Sequence, residues 1–296
     1  MATAGSPTVR RRRLAAELRR LRGNDRTGAQ VAKALGWSPA KISRYELGQG
    51  GFPLDEVAKL LDFYGVTEPR HAQLLNLAAD ANARGWWENY ADILTPEYAE
   101  FIGLEAEAST VSQWQVETVP GLLQTPEYTR WIHNAANSFE LTPPGVIERR
   151  VEVRMRRQRV LTERNPPLKL SAVLDESVLL REIGGREVMH AQLMRLAEMA
   201  ELPNVELRVR PLRSGSPLMA GSFVLFGFES VAGTRRLGDV MSMEAVGVSG
   251  TMSVEGENDT YVHRLLFGAL VDSALSPDDS SLMVRETAKK VWLAKG

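Results

Sequence analysis

The stretch Gly36-Trp37-Ser38-Pro39-Ala40-Lys41-Ile42-Ser43-Arg44-Tyr45-Glu46-Leu47-Gly48 contains the residues with the clearest chemical potential in a chain of 296. Ser38 and Lys41 stand in the S-x-x-K spacing that, in penicillin-acylating enzymes, sets a lysine beside a nucleophilic serine. That chemistry also needs an S-D-N or K-T-G element, and neither occurs in the chain. The same letters read more simply as the start of a helix. A serine hydroxyl there accepts amide hydrogens of the first turn, and a proline fits the one helical position where its missing N–H costs nothing. On that helix Ile42 and Tyr45 fall on an inward face. Ala40, Lys41, Ser43 and Arg44 are left outside, where Lys or Arg can bond guanine O6 and N7 and Ala can meet a thymine methyl.

No other constellation rises to a reaction. The chain has no cysteine and four histidines, so disulfides and thiolate metal sites are excluded, and neither a metal nor a cofactor is expected. Asp175-Glu176 are adjacent acids after an apolar run, better suited to capping the next helix than to acid–base work, and Gly184-Gly185-Arg186 lacks the lysine and spacing of a phosphate loop. The expectation is a protein that is not an enzyme. The basic start VRRRRLAAELRRLRG is interrupted by Glu17, Arg19, Arg20 and Arg22 where an export signal needs an apolar run, and no segment reaches the ~20 apolar residues of a membrane span. A cytoplasmic protein without a membrane partner is expected.

Positioning these residues requires a compact helical unit. Leu14, Leu18 and Leu21 define helix one, stopped by Gly23-Asn24, and Thr27 caps helix two, which ends at Gly36. Helix three starts at Ser38, helix four runs from Pro53 to Tyr64, and helix five from Glu68 to Asn82. Helix two, the glycine turn and helix three make a helix-turn-helix, whose second helix can lie in a major groove. Charge agrees: residues 1–50 hold eleven Arg and Lys against three acids, a net +8, in a chain whose total is −1.

RTGAQVAKALGWSPAKISRYELG resembles the XRE-type helix-turn-helix, the class of the λ repressor and Cro, over roughly residues 10–65. The resemblance implies that Glu46 is structural and that Lys41 and Arg44 occupy DNA-contact positions. Many members carry Gln at the start of helix two to hold a phosphate, where this chain has Gly28; backbone amides and Thr27 have to serve instead. The loop Gly48-Gln49-Gly50-Gly51-Phe52 also lacks the basic residues of relatives, which moves phosphate affinity towards Arg11 and Arg12. The expected phosphate contacts are therefore Arg11, Arg12, Thr27, Gly28, Ser38 and Gln49.

Beyond Gly85 the composition changes, and the expected domains are residues 1–83, the helix-turn-helix domain, and 84–296, a regulatory domain binding a ligand or partner. Four of the six tryptophans fall between 84 and 131 among an excess of acids. TPEY at 95–98 and 125–128, and Ser276-Pro277-Asp278, are helix starts. GVIERRVEVRMRRQRVLTER reads as one long helix over 145–164 with seven arginines. From 168 the period turns towards strands in KLSAVLDE, VELRVRPL, SFVLFGF and DVMSMEAV, with helices over 186–201, 258–273 and 278–294. The fold class is α+β, an N-terminal five-helix λ-repressor-like domain and then a larger mixed domain, helical at first and α/β later. IGLEAEAS, QVETVPGLLQTPEYTRWI, RRVEVRMRRQRVL, VLDESVL, IGGREVMHAQLMRLAEMAELPNVELRVRPL and ALSPDDS resemble the domain that follows the helix-turn-helix in WhiJ-like actinobacterial regulators. That resemblance implies a transcription regulator, often with a small partner protein encoded beside it in an antitoxin-like arrangement. Double-stranded DNA, a second copy of the chain, such a partner protein and a small-molecule effector are the expected partners. One helix-turn-helix covers little DNA, so a two-fold dimer is expected, with the acidic segment 84–131 meeting the arginine-rich helix 145–164 across the axis.

Overall fold

The computed structural model describes residues 7–136, 142–215, 221–229, 239–244, 251–254 and 257–293. They fall into two units: the chain up to Glu88 with a short segment beginning at Phe228, and the remainder from Asn89.

The first unit is built from α1 (Pro7–Arg22), α2 (Gly28–Leu35), α3 (Pro39–Glu46), α4 (Leu54–Phe63) and α5 (Arg70–Ala81). Their inward positions make one core in which Leu14, Leu18, Val31, Ile42, Leu60 and Leu74 are buried, each such side chain stabilising the fold by ~1.5–3 kcal/mol. Phe52 joins this core from the glycine-rich loop. Asn82 clamps it, its Oδ1 accepting from the Phe52 amide at 2.8 Å and its Nδ2 donating to the Phe52 carbonyl at 2.6 Å. The last two helices are shorter than their periodicity suggests. Pro53 and Pro69 stand just before the first helical residue instead of inside it, and a residue ahead of proline, such as Glu68, disfavours helical backbone.

The second unit carries α6 (Pro96–Glu107), β1 (Thr110–Gln115), α7 (Pro126–Ala136), α8 (Pro144–Arg157), β2 (Lys169–Asp175), α9 (Ser177–Leu180), α10 (Arg186–Met199), β3 (Val205–Arg210), β4 (Phe223–Gly227), β5 (Val240–Glu244), β6 (Thr251–Val254), α11 (Glu257–Asp272) and α12 (Pro277–Thr287), the last continued by a wider helical turn, Ala288–Leu293. The strands make one sheet in the order β3-β2-β1-β4-β5-β6. β1, β2 and β3 run parallel, and β4, β5 and β6 are added antiparallel. Trp114, Val173, Phe223, Leu225 and Met241 on one sheet face pack with Leu270 of α11. The architecture is α+β, as the sequence indicates.

The sheet begins earlier than the sequence suggests. β1 lies inside the stretch read as helical, and its Gln113 and Gln115 are buried, so polar residues at inward positions break the apolar alternation that marks a strand. α8 ends at Arg157 where one helix to 164 was expected. The Gln158 amide donates to the Gly121 and Gln124 carbonyls at 3.1 and 2.7 Å, and the chain turns there. Thr95 and Ser276 cap α6 and α12 as anticipated. Asp175 accepts from the Ser177 amide at 3.0 Å at the start of α9, the capping role foreseen for that acid. Ala245 and Val246 of the expected strand at 239–246, and Ala294 of the last helix, lie outside the described residues.

The charge pairing expected across a two-fold axis occurs within one chain instead. Arg149 of α8 forks onto Asp92, with an Nη2–Oδ1 distance of 2.8 Å. Tyr90 donates to Glu152 at 2.7 Å, Arg130 forks onto Glu148 at 2.6 and 2.9 Å, and Arg157 onto the buried Glu105 at 2.8 and 2.7 Å. Attraction between the acidic segment and the arginine-rich helix is thus used to close this unit. Of the tryptophans in that segment, Trp114 is a core residue and Trp131 is half exposed.

Candidate nucleic-acid interface

Local chemistry sets the geometry of the two central helices. At α2 the Thr27 hydroxyl accepts the Gln30 amide at 3.2 Å while Gln30 Oε1 accepts the Thr27 amide at 2.7 Å, a reciprocal capping box. This uses Thr27 up. The Gly28 and Ala29 amides, which have no partner within a first helical turn, take part in none of the described backbone hydrogen bonds. Gly36 ends α2 at φ 68°, a left-handed conformation that a side chain resists. The chain then reverses, with the Trp37 amide on the Ala32 carbonyl at 2.8 Å. Ser38 opens α3 by accepting the Lys41 amide at 3.3 Å, so its hydroxyl is occupied with capping. A side chain at Gly28 would bring its Cβ to 3.4 Å from Ile42 Cγ2.

Tyr45 and Ile42 are buried beneath α3, while Ala40, Ser43 and Arg44 are exposed. The Arg44 side chain makes no hydrogen bond or ion pair with another described residue. Lys41 differs. Its Nζ lies 2.7 Å from Glu56 Oε1 on α4 and 4.3 Å from the centre of the Trp37 ring. Glu56 also accepts the Tyr45 hydroxyl through its other oxygen. Hydrogen bonds from Lys41 and then Tyr45 hold the Glu56 carboxyl below its usual range, and burial followed by Glu56 pushes the Tyr45 phenol up. Glu46, at the end of α3, receives a fork from Arg22 at 2.6 and 3.1 Å, and its carbonyl accepts from Arg19 at 2.7 Å. These contacts fasten α3 to α1, the structural role that the resemblance assigns to Glu46. Between α1, α2 and α3 lies an open cleft of about 250 Å³, with Arg19, Gly28, Ala29, Pro39, Ser43 and Leu47 among its walls.

The remaining expected residues lie elsewhere in this unit. Arg11 and Arg12 are half-buried on α1, and Arg11 Nε donates to the Ala81 carbonyl at the end of α5 at 2.9 Å. Gln49 is exposed beyond α3, its amide on the Arg44 carbonyl at 2.9 Å. The structure therefore brings Gly28, Ser38, Ala40, Ser43 and Arg44 to the α2–α3 surface, ties Lys41 to α4 at its side, and leaves Arg11 packed towards α5. Sequence reasoning missed Glu56. The i, i+4 spacing of Trp37 and Lys41 was a legible signal for their contact, but nothing local announces a carboxylate fifteen positions away. Among the described residues no group of acids, histidines or cysteines is arranged to hold a metal, and no helix is long and apolar enough to cross a membrane.

Two helices at this crossing, capped and separated by a left-handed glycine, define a helix-turn-helix, and the family model for a helix-turn-helix domain matches residues 13–74. The chain is a DNA-binding regulator of the helix-turn-helix kind. It belongs to the family described as "Domain of unknown function (DUF5753)", whose model matches residues 98–286. No curated protein and no solved structure gives a significant match.

Proposed function

We propose that this protein is a sequence-specific transcription regulator of the XRE family that reads double-stranded DNA through α3. Ala40, Lys41, Ser43 and Arg44 would read bases, and Arg11, Arg12, Gly28 and Gln49 would hold phosphates, with Thr27 and Ser38 serving the phosphate surface by capping α2 and α3. The observation that carries this reading is the outward row of Ala40, Ser43 and Arg44 on a helix whose Ile42 and Tyr45 are anchored in the core. For phosphate, the unused Gly28 and Ala29 amides support the α2 terminus as an anion seat, with the Thr27 side chain shaping it instead of donating. We assign residues 1–83 to DNA binding and 84–296 to regulation, through a small-molecule effector or a small partner protein encoded nearby, as in the WhiJ-like, antitoxin-like regulators that the sequence resembles. The same reading makes the protein a cytoplasmic homodimer that catalyses no reaction.

Arg44→Ala tests it. Once genomic binding sites are mapped, the variant should lose about 1–3 kcal/mol on the operator and almost nothing on random duplex. Equal losses on both would reduce Arg44 to a phosphate contact.

A further inference from the structure

Two sequence runs that the helix-turn-helix does not use, VETVPGLLQTPEYTRWI and RRVEVRMRRQRVL, meet in the second unit. α8 carries Arg150, Arg154 and Arg157 at i, i+4 and i+7, one stripe of the helix. The stripe lies against α7 and the short turn Gly121–Leu123. Only its last member meets an acid: Arg157, a buried residue, forks onto Glu105 and donates to the Tyr98 hydroxyl. Arg154, half-buried, has the Gln124 amide oxygen at 2.7 Å, and its Nε is buried without a partner. The Arg150 side chain, also half-buried, makes no hydrogen bond or ion pair with another described residue. The stripe thus sets three positive charges against the single carboxylate of Glu105, where charges taken out of water are ordinarily paired. His133 of α7 faces the same excess. Its Nε2 is buried and unpartnered, and burial, then Arg154 and Arg150, keep the imidazole neutral. Space is present as well as charge. A Cβ built on Gly121 would stand 3.6 and 3.7 Å from Arg157 Nη2 and Nη1 and 3.9 Å from Arg154 Nε, so the two guanidiniums converge on one point above the turn. These are ordinary contact distances, and an atom there displaces no neighbour.

We propose that this stripe is a binding site for a small-molecule anion bearing a carboxylate or phosphate group, seated between α8 and the Gly121 turn on Arg154 and Arg157, with Arg150 at its outer end. The donors for such a group are unspent. A guanidinium has five N–H groups; on Arg157, Glu105 takes two and Tyr98 one, which leaves one on each terminal nitrogen. Those two and the Arg154 Nε–H surround the point above Gly121, and planar guanidinium forks match the oxygens of carboxylate and phosphate. Gln124 cannot neutralise Arg154. Its Oε1 is shared with the Thr129 hydroxyl at 3.0 Å and its amide donates to the Val119 carbonyl at 2.7 Å, so it holds the arginine in place. Gln158 fixes the turn from the other side by donating to the Gly121 carbonyl. The unpartnered Arg154 Nε and His133 Nε2 are buried, so the ligand must be small, and an acidic protein surface would meet only Arg150. This inference rests on the reading of the second unit as a regulatory one and names the chemistry of its effector.

The full-length protein, without DNA, is titrated with inorganic phosphate, acetate or chloride at equal ionic strength. Phosphate or acetate should raise the melting temperature saturably. Among the four histidines of the chain, the ring signals of His133 should move with the same midpoint in NMR. Arg154→Gln should weaken that binding at least tenfold and Arg150→Gln at least threefold. Arg159→Gln removes an exposed arginine paired with Glu163 just past α8 and should leave the midpoint unchanged. Arg150 has no described partner to lose, so its variant keeps the test decisive should Arg154→Gln fail to fold. A melting temperature indifferent to phosphate and acetate overturns the proposal, as does a midpoint that Arg159→Gln shifts as far as Arg150→Gln. Chloride acting as strongly as the other two also overturns it, since the stripe would then hold an adventitious ion only. None of these readouts involves DNA, so they succeed or fail independently of Arg44→Ala. Phosphate binding here in a protein indifferent to Arg44→Ala would sink the base-reading assignment and leave this site standing.

Discussion

Lys41 can reach DNA only by leaving Glu56, which makes Glu56→Gln the most informative substitution in the first unit. The side chains of the pair are 23% and 25% exposed. Its strength therefore lies between the ~0.2–1 kcal/mol of open surface pairs and the ~3–5 kcal/mol of buried ones, near the lower end at about 1 kcal/mol. Glutamine removes the charge and keeps an oxygen for the Tyr45 hydroxyl, so the junction of α3 and α4 should survive. Freed of that attraction, Lys41 should raise affinity for random duplex about fivefold at low salt, the factor equivalent to 1 kcal/mol. If it then neutralises one more phosphate, log K against log salt should steepen by ~0.9. Fluorescence anisotropy across a salt series measures both, and thermal melting verifies the fold. The pH dependence follows from the sign of the shift. Lys41 and Tyr45 lower the folded value of Glu56, so the ion pair's contribution is present above the unfolded value of ~4.3 and is lost as pH falls through the folded one. Wild type and variant should therefore differ across the neutral range and converge only in acid. A folded Glu56→Gln protein with unchanged affinity and slope would refute the reasoning and remove Lys41 from the DNA surface.

Two further outcomes concern the second unit. Glu105→Gln should destabilise it by ~3–5 kcal/mol in urea melts, because Arg157, held in its charged form by Glu105 and Tyr98 against the cost of burial, loses its ionic partner; adding Arg157→Met should recover most of the loss, and failure to do so would show that the pair itself stabilises the fold. Burial, then Arg154 and Arg150, push His133 down to about 3. An unfolded chain takes up a proton below ~6.5 that the folded one refuses, so stability should be full above that pH and decline in acid by at most ~1.4 kcal/mol per pH unit. His133→Gln should flatten this decline, and an unaltered acid limb in chemical denaturation would assign it to other groups.

The helix-turn-helix was legible because each of its determinants is local. Thr27, Gly36, Ser38 and Pro39 act within one turn of their own positions, and the caps and left-handed turn they specify are those in the structure. Helix ends set by proline were misplaced by one or two residues, since periodicity continues past the point where the backbone stops. The sheet was legible where apolar residues alternate, in β3, or run together, in β2 and β4, and in β5, and not in β1, whose Gln113 and Gln115 are polar at buried positions. Glu56 lay beyond local reasoning because its meaning depends on how α4 packs beside α3. The arginine-rich helix was misread for the same reason. Its charge was visible, but the acids that neutralise it, Asp92 and Glu105, come from outside the helix, and its own Glu148 pairs with Arg130 of α7, a matter of tertiary contact.

The same distinction decides what the +8 of the first fifty residues means. Most of that charge is used inside the unit: Arg10 pairs with Asp80, Arg20 with Glu17, Arg22 with Glu46 and Lys41 with Glu56, while Arg11 and Arg19 donate to the carbonyls of Ala81 and Glu46. A paired arginine still contributes to the field that draws DNA in, but each phosphate contact it makes must first repay the contact it breaks. Lys33 and Arg44 carry no such debt among the described residues, and both are exposed on α2 and α3. Affinity that follows the total charge should fall alike whichever arginine is removed, whereas affinity that follows uncommitted charge should fall most at Arg44 and Lys33 and little at Arg10 or Arg20. Single alanine substitutions at these four positions, compared on the mapped operator at one salt concentration, separate the two. A uniform loss across all four would mean that the unit binds DNA as a diffuse basic body and that the α2–α3 surface has no privileged place in it.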